Sequence, residues 1–478
     1  MDNTSATSRN RYIRVLKALL LMAVLVSGCS TAHYPVNATL AEHPSQVAGY
    51  ALGNIKGDNN SDSLVLVLAL SGGGYRAAAL AHAVMAQLAA THIHWEGQQR
   101  TLLDEVDMIS SVSGGSLAAA YFALRPEYFV EEFEQRVLRV DLQTSLLKKV
   151  LSPAGIWRQT SQTFGRGDLL QEVLDENIFK GKTFSDIPRR RPMVFINATD
   201  MRLGRRFEFT QDQFDHLCSD LNLFPVSRAV AASMAVPVLL SPITVWNQRS
   251  SCPVALQLRP VAGHDASSSY IHLVDGGLAD NTGLNALLEN VVIHGGLRRL
   301  GQAARLMNVR KRVIIVVNAQ VAPQDSEEDS PRTPGFLRQL RSLVNIPIDR
   351  HAEAKVQHLA DSVRTWQMEL SDAKGSRGHQ MLDDFHVIEI NMSRARDSAQ
   401  AKQLQHIPSG LSIEPQQLTQ IRAFVRDELA ANLQWKELLD EFPHRDLRAN
   451  ATLDLNQRCE MGEQLCEQRT SGPNGVIR

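Results

Sequence analysis

The chain of 478 residues is poor in net charge, aromatics and cysteine. Its formal net charge is −1, which argues against a surface built to hold a polyanion. Aromatics make up 6% of it and no zinc finger or other nucleic-acid module is present, so no nucleic-acid partner is expected. No CxxC or HExxH spacing occurs, so no metal centre is read. Nucleotide-binding signatures are also missing. Ser71-Gly72-Gly73-Gly74 lacks a Walker lysine and has Ala77 where a dinucleotide fingerprint needs its third glycine. Gly181-Lys182-Thr183 has no glycine at the required distance upstream. No nucleotide and no cofactor are therefore expected. Internal repeats are absent, and the N-terminal apolar run, residues 18–26, is far short of a membrane span.

What is present is a chain that is 44% hydrophobic, enough to bury a large core. Its start reads as a targeting segment, with Arg9, Arg11, Arg14 and Lys17 before the apolar run. Val26-Ser27-Gly28-Cys29-Ser30 then resembles a bacterial lipobox. That resemblance implies a signal peptide over residues 1–28, an acylated Cys29 and, because Ser30 is not aspartate, the outer membrane. Residues 29–62 read as a tether, 63–443 as one catalytic domain and 444–478 as a polar tail. Export makes disulfides permissible. Cys459 with Cys466 and Cys218 with Cys252 are the pairs considered, against four free thiols.

Leu64–Leu70 is a continuous apolar run, as in a strand buried on both faces. An alanine-rich helix with Leu80, Val84, Met85 and Leu88 at helical spacing follows it. Residues 106–109, 192–199, 270–274, 312–317 and 385–390 read as further strands, with 206–209 an antiparallel neighbour of 192–199. Residues 226–236 and 416–433 read as helices, 249–269 as a surface insertion, and 324–334 and 371–380 as polar loops, the first of them mobile. Alternating strand and helix predicts a mostly parallel sheet covered by helices. Residues 126–163 read as helical, with Leu146, Leu147, Val150, Leu151, Ile156 and Trp157 among Lys148, Lys149 and Arg158. A helix covering the core is the preferred reading there, and an interfacial helix touching lipid the other. Core packing is preferred as well for Phe336, Leu340, Leu343 and Val344.

Three turns carry chemistry. Ser71-Gly72-Gly73-Gly74-Tyr75-Arg76 follows the first strand, and a glycine-rich turn at a helix N-terminus offers backbone N–H groups to negative charge. Ser111-Val112-Ser113-Gly114-Gly115-Ser116 follows the next strand, and a serine on a sharp strand-to-helix turn has its hydroxyl exposed. The glycine usual two residues before such a serine is Ser111 here. A serine hydroxyl needs a base, and Asp275-Gly276-Gly277 at a strand end supplies a carboxylate.

Together, in this order, the three turns resemble the patatin-like phospholipase family, in the serine-led form of cytosolic phospholipase A2. Ala231-Ala232-Ser233-Met234-Ala235-Val236-Pro237 resembles the segment those proteins carry before the aspartate. The resemblance implies a three-layer α/β/α sandwich with a mostly parallel central sheet. It implies a Ser–Asp dyad of Ser113 and Asp275, an oxyanion hole from Gly72, Gly73 and Gly74, and Arg76 as a contact for a lipid phosphate, with a structural ion pair as its alternative role. The implied substrate is a phospholipid or lysophospholipid, and no calcium is implied. Other readings are a Ser–His–Asp triad using His386 or His351, an acyltransferase using the same dyad, and a non-catalytic lipid-binding lipoprotein. His82 reads as an ordinary packed or exposed helix residue.

Overall fold

The computed structural model describes residues 30–40, 49–57, 60–252, 268–306, 308–321, 335–372 and 385–442, together with Lys17. Cys29, Cys459, Cys466 and the polar tail lie outside them, as do the 324–334 loop, most of the 249–269 insertion and most of the 371–380 loop.

The apolar runs form the centre of a mixed sheet. Its strands are β1 (Leu64–Leu70), β4 (Val106–Val112), β5 (Met193–Asp200), β6 (Arg205–Glu208), β7 (Ile243–Trp246), β8 (Tyr270–Val274), β9 (Lys311–Asn318) and β10 (Phe385–Asn391), in the order β10-β9-β1-β4-β5-β8-β7 with β6 paired to β5. A polar hairpin, β2 (His92–Trp95) and β3 (Gln98–Thr101), stands apart. The five strands from β10 to β5 run parallel, whereas β6, β7 and β8 pair antiparallel. Helices flank the sheet in the expected α/β/α manner. Helix α1 (Gly74–Ala90) buries Leu80, Val84, Met85, Leu88 and also His82, whose Nε2 lies 3.1 Å from the Val130 carbonyl.

The direction of β8 matters most for the site. It overlaps β5 only through Thr199 opposite Val274 and Asp200 opposite Leu273. It therefore enters from beyond the upper edge of the parallel strands and ends where they end. Asp275, the next residue, is delivered to the edge where β4 gives way to Ser113.

Two regions differ from their sequence reading. Residues 30–40 and 49–57 are not a free tether. Tyr34, Leu40, Tyr50 and Ile55 are buried, the Leu40 N–H reaches the Cys218 carbonyl at 2.9 Å, and the Tyr50 hydroxyl accepts the Val194 N–H at 2.7 Å. A few well-spaced apolar residues thus strap the segment to the domain. Residues 126–163 form several short helices rather than one, among them α3 (Leu142–Leu151) and α4 (Pro153–Arg158), broken at Ser152-Pro153. Leu142 and Leu146 cover the core as preferred, but Leu147, Leu151, Ile156 and Trp157 face solvent. A long helix spans Phe336–Asp372, but the side chains of Phe336, Leu340, Leu343 and Val344 lie outside what is described. Among the described residues, no helix is long and apolar enough to cross a membrane.

Candidate active site

Ser113 sits between β4 and α2 (Gly114–Leu124) with φ 50° and ψ −119°. A non-glycine residue at positive φ is uncommon and strained, and persists only where its surroundings hold it. Ser233, the last residue of α6 (Val226–Ser233), does this, its Oγ accepting the Ser113 N–H at 2.8 Å. The two glycines after Ser113 let the turn sit against the first glycine loop. A Cβ on Gly114 would fall 1.9 Å from the Gly74 carbonyl oxygen, and one on Gly115 2.6 Å from that of Ser71. Ser111 replaces the usual glycine without leaving its hydroxyl stranded. Its Oγ donates to the Phe195 carbonyl at 2.9 Å and accepts from Ser116 Oγ at 3.1 Å.

Asp275 is fixed through its backbone. Its N–H donates to the Ala235 carbonyl at 2.9 Å, and its own carbonyl accepts from Thr199 Oγ1 at 2.8 Å. Both carboxylate oxygens are used. Oδ1 accepts the Gly277 N–H at 2.8 Å, and Oδ2 accepts the Ser113 hydroxyl at 2.8 Å. Burial raises this carboxyl to about 6, against the opposing pull of the Gly277 and Ser113 hydrogen bonds. Ser113 and Asp275, 162 positions apart, thus share a hydrogen bond.

The Ser71–Arg76 turn lies directly against them, with a Cβ on Gly72 falling 3.2 Å from Ser113 Cβ. Its three glycines are not equivalent. The Gly72 N–H is already donated to the Asn281 carbonyl at 3.0 Å, so the first of the three expected oxyanion donors is occupied. Gly73 and Gly74 take φ of 135° and 59°, and their N–H groups donate to no partner among the described residues. The next N–H, of Tyr75, is taken by the Gly410 carbonyl at 2.8 Å. The cradle therefore narrows to Gly73 and Gly74.

Arg76 is tied to the fold, its Nη1 donating to the Ile407 carbonyl at 2.7 Å. Neither alternative histidine base is hydrogen-bonded to Ser113 or Asp275. His386 lies near the start of edge strand β10 with Nε2 3.1 Å from Glu441. Three strand steps separate β10 from β4, roughly 14 Å at ~4.8 Å each. His351 is exposed on the long helix Phe336–Asp372. Neither joins Ser113, so the triad reading falls. Among the described residues, no cluster of three or more His, Cys, Asp or Glu could hold a metal ion. Cys218 and Cys252 are disulfide-bonded.

Ser233, Thr199 and Asn281 are the site residues to which sequence reasoning gave no role. The only signal for Ser233 was its place in the small-residue segment before Pro237, and for Asn281 its closeness to Asp275-Gly276-Gly277.

Comparison with known proteins bears on the same span. A family model described as patatin-like phospholipase matches residues 68–288. Comparison with curated proteins finds no match. Among solved structures, the chain is similar to human GIVD cytosolic phospholipase A2, with TM-score 0.35 and 12% identity over 57% of this chain and 48% of that one. A complex of the same human protein with methyl gamma-linolenyl fluorophosphonate and terbium chloride gives TM-score 0.32 and 17% identity over 59% and 48% of the two chains. VipD from Legionella pneumophila gives TM-score 0.25 and 12% identity over 84% and 72%. The chain thus spans about half the length of the human structures it matches. With the glycine loop from Gly72, Ser113 and Asp275 all inside the matched span, residues 68–288 of this chain belong to the patatin-like phospholipase family.

Proposed function

We propose that the chain is a membrane-anchored serine acyl hydrolase that releases ester-linked fatty acids from phospholipids or lysophospholipids through a Ser113–Asp275 dyad. The observation that carries this reading is the 2.8 Å hydrogen bond from Ser113 Oγ to Asp275 Oδ2 beside two uncommitted loop amides. Ser113 Oγ attacks the ester carbonyl carbon while its proton passes to Asp275 Oδ2. The N–H groups of Gly73 and Gly74 hold the resulting oxyanion, an effect of about 3 kcal/mol per donor. Collapse expels the alcohol, which takes the proton from Asp275 and leaves an acyl ester on Ser113. Water then attacks that ester, Asp275 takes its proton, and the fatty acid leaves as Ser113 regains its hydrogen. A buried carboxyl raised to about 6 is a better proton acceptor near neutrality than one at its ordinary value.

The anchor in this reading is an acylated Cys29 at the outer membrane, on the strength of its lipobox-like surroundings. The Cys218–Cys252 disulfide suits an exported protein. Arg76, held through Nη1 by the Ile407 carbonyl, is the contact for a lipid phosphate in this reading.

The test compares wild type with Ser113→Ala and Asp275→Asn on mixed phospholipid vesicles, alongside labelling with a fluorophosphonate probe. Both variants are expected to lose fatty-acid release, and Ser113→Ala to lose labelling. Unchanged release in either variant overturns the dyad.

A further inference from the structure

The two short helices α3 and α4 carry apolar side chains on the side away from the core. Leu147 and Leu151 are 51% and 68% exposed, and Ile156 and Trp157 55% and 43%. Leu147 and Leu151 are four residues apart and so share one helix face. Isolated exposed apolar residues are ordinary, but four large ones this close in sequence mark a surface made to be covered. Of the neighbouring cations Lys148 is exposed, whereas Lys149 and Arg158 are held in ion pairs. Lys149 pairs with Glu172 and Glu176, and Arg158 with Glu172, holding α3 and α4 down on the helix Arg166–Leu174 (α5).

Two sets of contacts say what covers it. The Ser30 N–H donates to Thr160 Oγ1 at 3.2 Å. The Ala32 carbonyl accepts from Ser161 Oγ at 2.6 Å, and the Tyr34 N–H reaches the Thr163 carbonyl at 3.1 Å. The chain just after Cys29 is therefore pinned immediately past α4, three positions from Trp157. An acyl chain on Cys29 would start beside this surface. At the other end, the Gln143 N–H of α3 reaches the Leu411 carbonyl at 3.2 Å, and the adjacent Gly410 carbonyl is the one that holds the Tyr75 N–H. A single loop thus joins α3 to the turn beside Ser113.

We propose that the face formed by Leu147, Leu151, Ile156 and Trp157 docks on the phospholipid bilayer, and that this face and the acylated N-terminus make one continuous membrane contact next to the active site. The proposal rests on the anchoring described under Proposed function. The acylated Cys29 would hold the chain at the bilayer without fixing its orientation; this face fixes it, with a tryptophan suited to the membrane–water boundary.

The test uses the full, lipid-modified chain on vesicles of phosphatidylethanolamine and phosphatidylglycerol containing acyl-chain-brominated phosphatidylcholine. Bromine quenching of tryptophan fluorescence is expected in wild type and largely absent in Trp157→Phe, which keeps the apolar face. Leu151→Glu combined with Ile156→Glu is expected to lower hydrolysis of the vesicle lipid at least tenfold, while hydrolysis of a water-soluble short-chain ester stays within twofold. Equal quenching in wild type and Trp157→Phe, or no quenching in either, overturns the proposal. So does vesicle hydrolysis unaffected by the two glutamates. Quenching that depends on Trp157 in a protein hydrolysing neither substrate supports the docking face and sinks the hydrolase reading instead.

Discussion

Ser233 Oγ accepts the backbone N–H of Ser113 at 2.8 Å and donates to the Asn197 carbonyl at 2.6 Å. One buried hydroxyl therefore ties the strained turn to the end of β5, and it also lies 2.9 Å from Ser116 Oγ. Ser233 is a positioning residue in this arrangement. Ser233→Ala leaves the Ser113 N–H unsatisfied at a cost of about 1–3 kcal/mol. If half or more of that appears in the barrier, kcat falls roughly 2- to 160-fold. The expected pattern is a lower kcat with little change in KM and weaker fluorophosphonate labelling. A fall in Tm with kcat untouched would show that the hydroxyl serves stability alone.

Asp275 makes opposite predictions for activity and for stability. A general base must be ionised, so the rate should rise with pH and reach half its plateau near 6 rather than near 4. Stability runs the other way. A folded-state pKa above the unfolded value of 3.8 means that the folded protein holds the proton more tightly. The group's contribution is complete below 3.8 and is lost as pH climbs through about 6. Asp275→Asn removes the buried charge and keeps an acceptor for the Gly277 N–H. It should be inactive, yet more stable than wild type at pH 8 by about 1–3 kcal/mol and similar at pH 3.5. Thermal melts at the two pH values read this directly, and a variant less stable than wild type at pH 8 contradicts it.

Gly114→Ala should be far more damaging than a surface glycine change. The new Cβ would lie 1.9 Å from the Gly74 carbonyl oxygen and 2.6 Å from its carbon, both backbone atoms that no rotamer can move aside. The glycine loop and the serine turn must then separate, with loss of activity and a cost of about 2–4 kcal/mol. Gly53→Ala, with nothing within 4 Å of the added carbon, is the control and should leave both activity and Tm unchanged.

The Cys218–Cys252 bond closes a loop of 34 residues, for which about 3–4 kcal/mol of stabilisation is expected from chain entropy. Cys218→Ser with Cys252→Ser should lower Tm accordingly. Wild type in reducing buffer should melt like the double variant, and an equal Tm in oxidised and reduced wild type would show that the bond is energetically silent.

What the sequence revealed follows from where each signal is written. β1 is legible because Leu64–Leu70 is apolar throughout, and Ser113 and Asp275 stand out because small residues beside them mark sharp turns. The hairpin β2–β3 is not legible, since His92-Ile93-His94-Trp95 and Gln98-Gln99-Arg100-Thr101 show no clean apolar alternation. The direction of β8 is not written in Tyr270–Val274 either, because strand sense depends on how the chain before it returns to the sheet. Ser233, Thr199 and Asn281 act through bonds to backbone groups that are remote in sequence, and no local pattern records such a partner. The same holds for Gly72, whose N–H looks available until the Asn281 carbonyl is seen to occupy it.

The span that reveals ancestry is smaller than the span that makes the site. Beyond residue 288 come β9, which pairs with β1 along its whole length, the Val317 carbonyl that receives the Ser71 N–H, and Gly410, which pins Tyr75. Ending translation at the family boundary would leave β1 as a bare, apolar edge strand, which invites self-association. Such a fragment would carry every signature of its lineage while lacking the scaffolding that gives those signatures their shape.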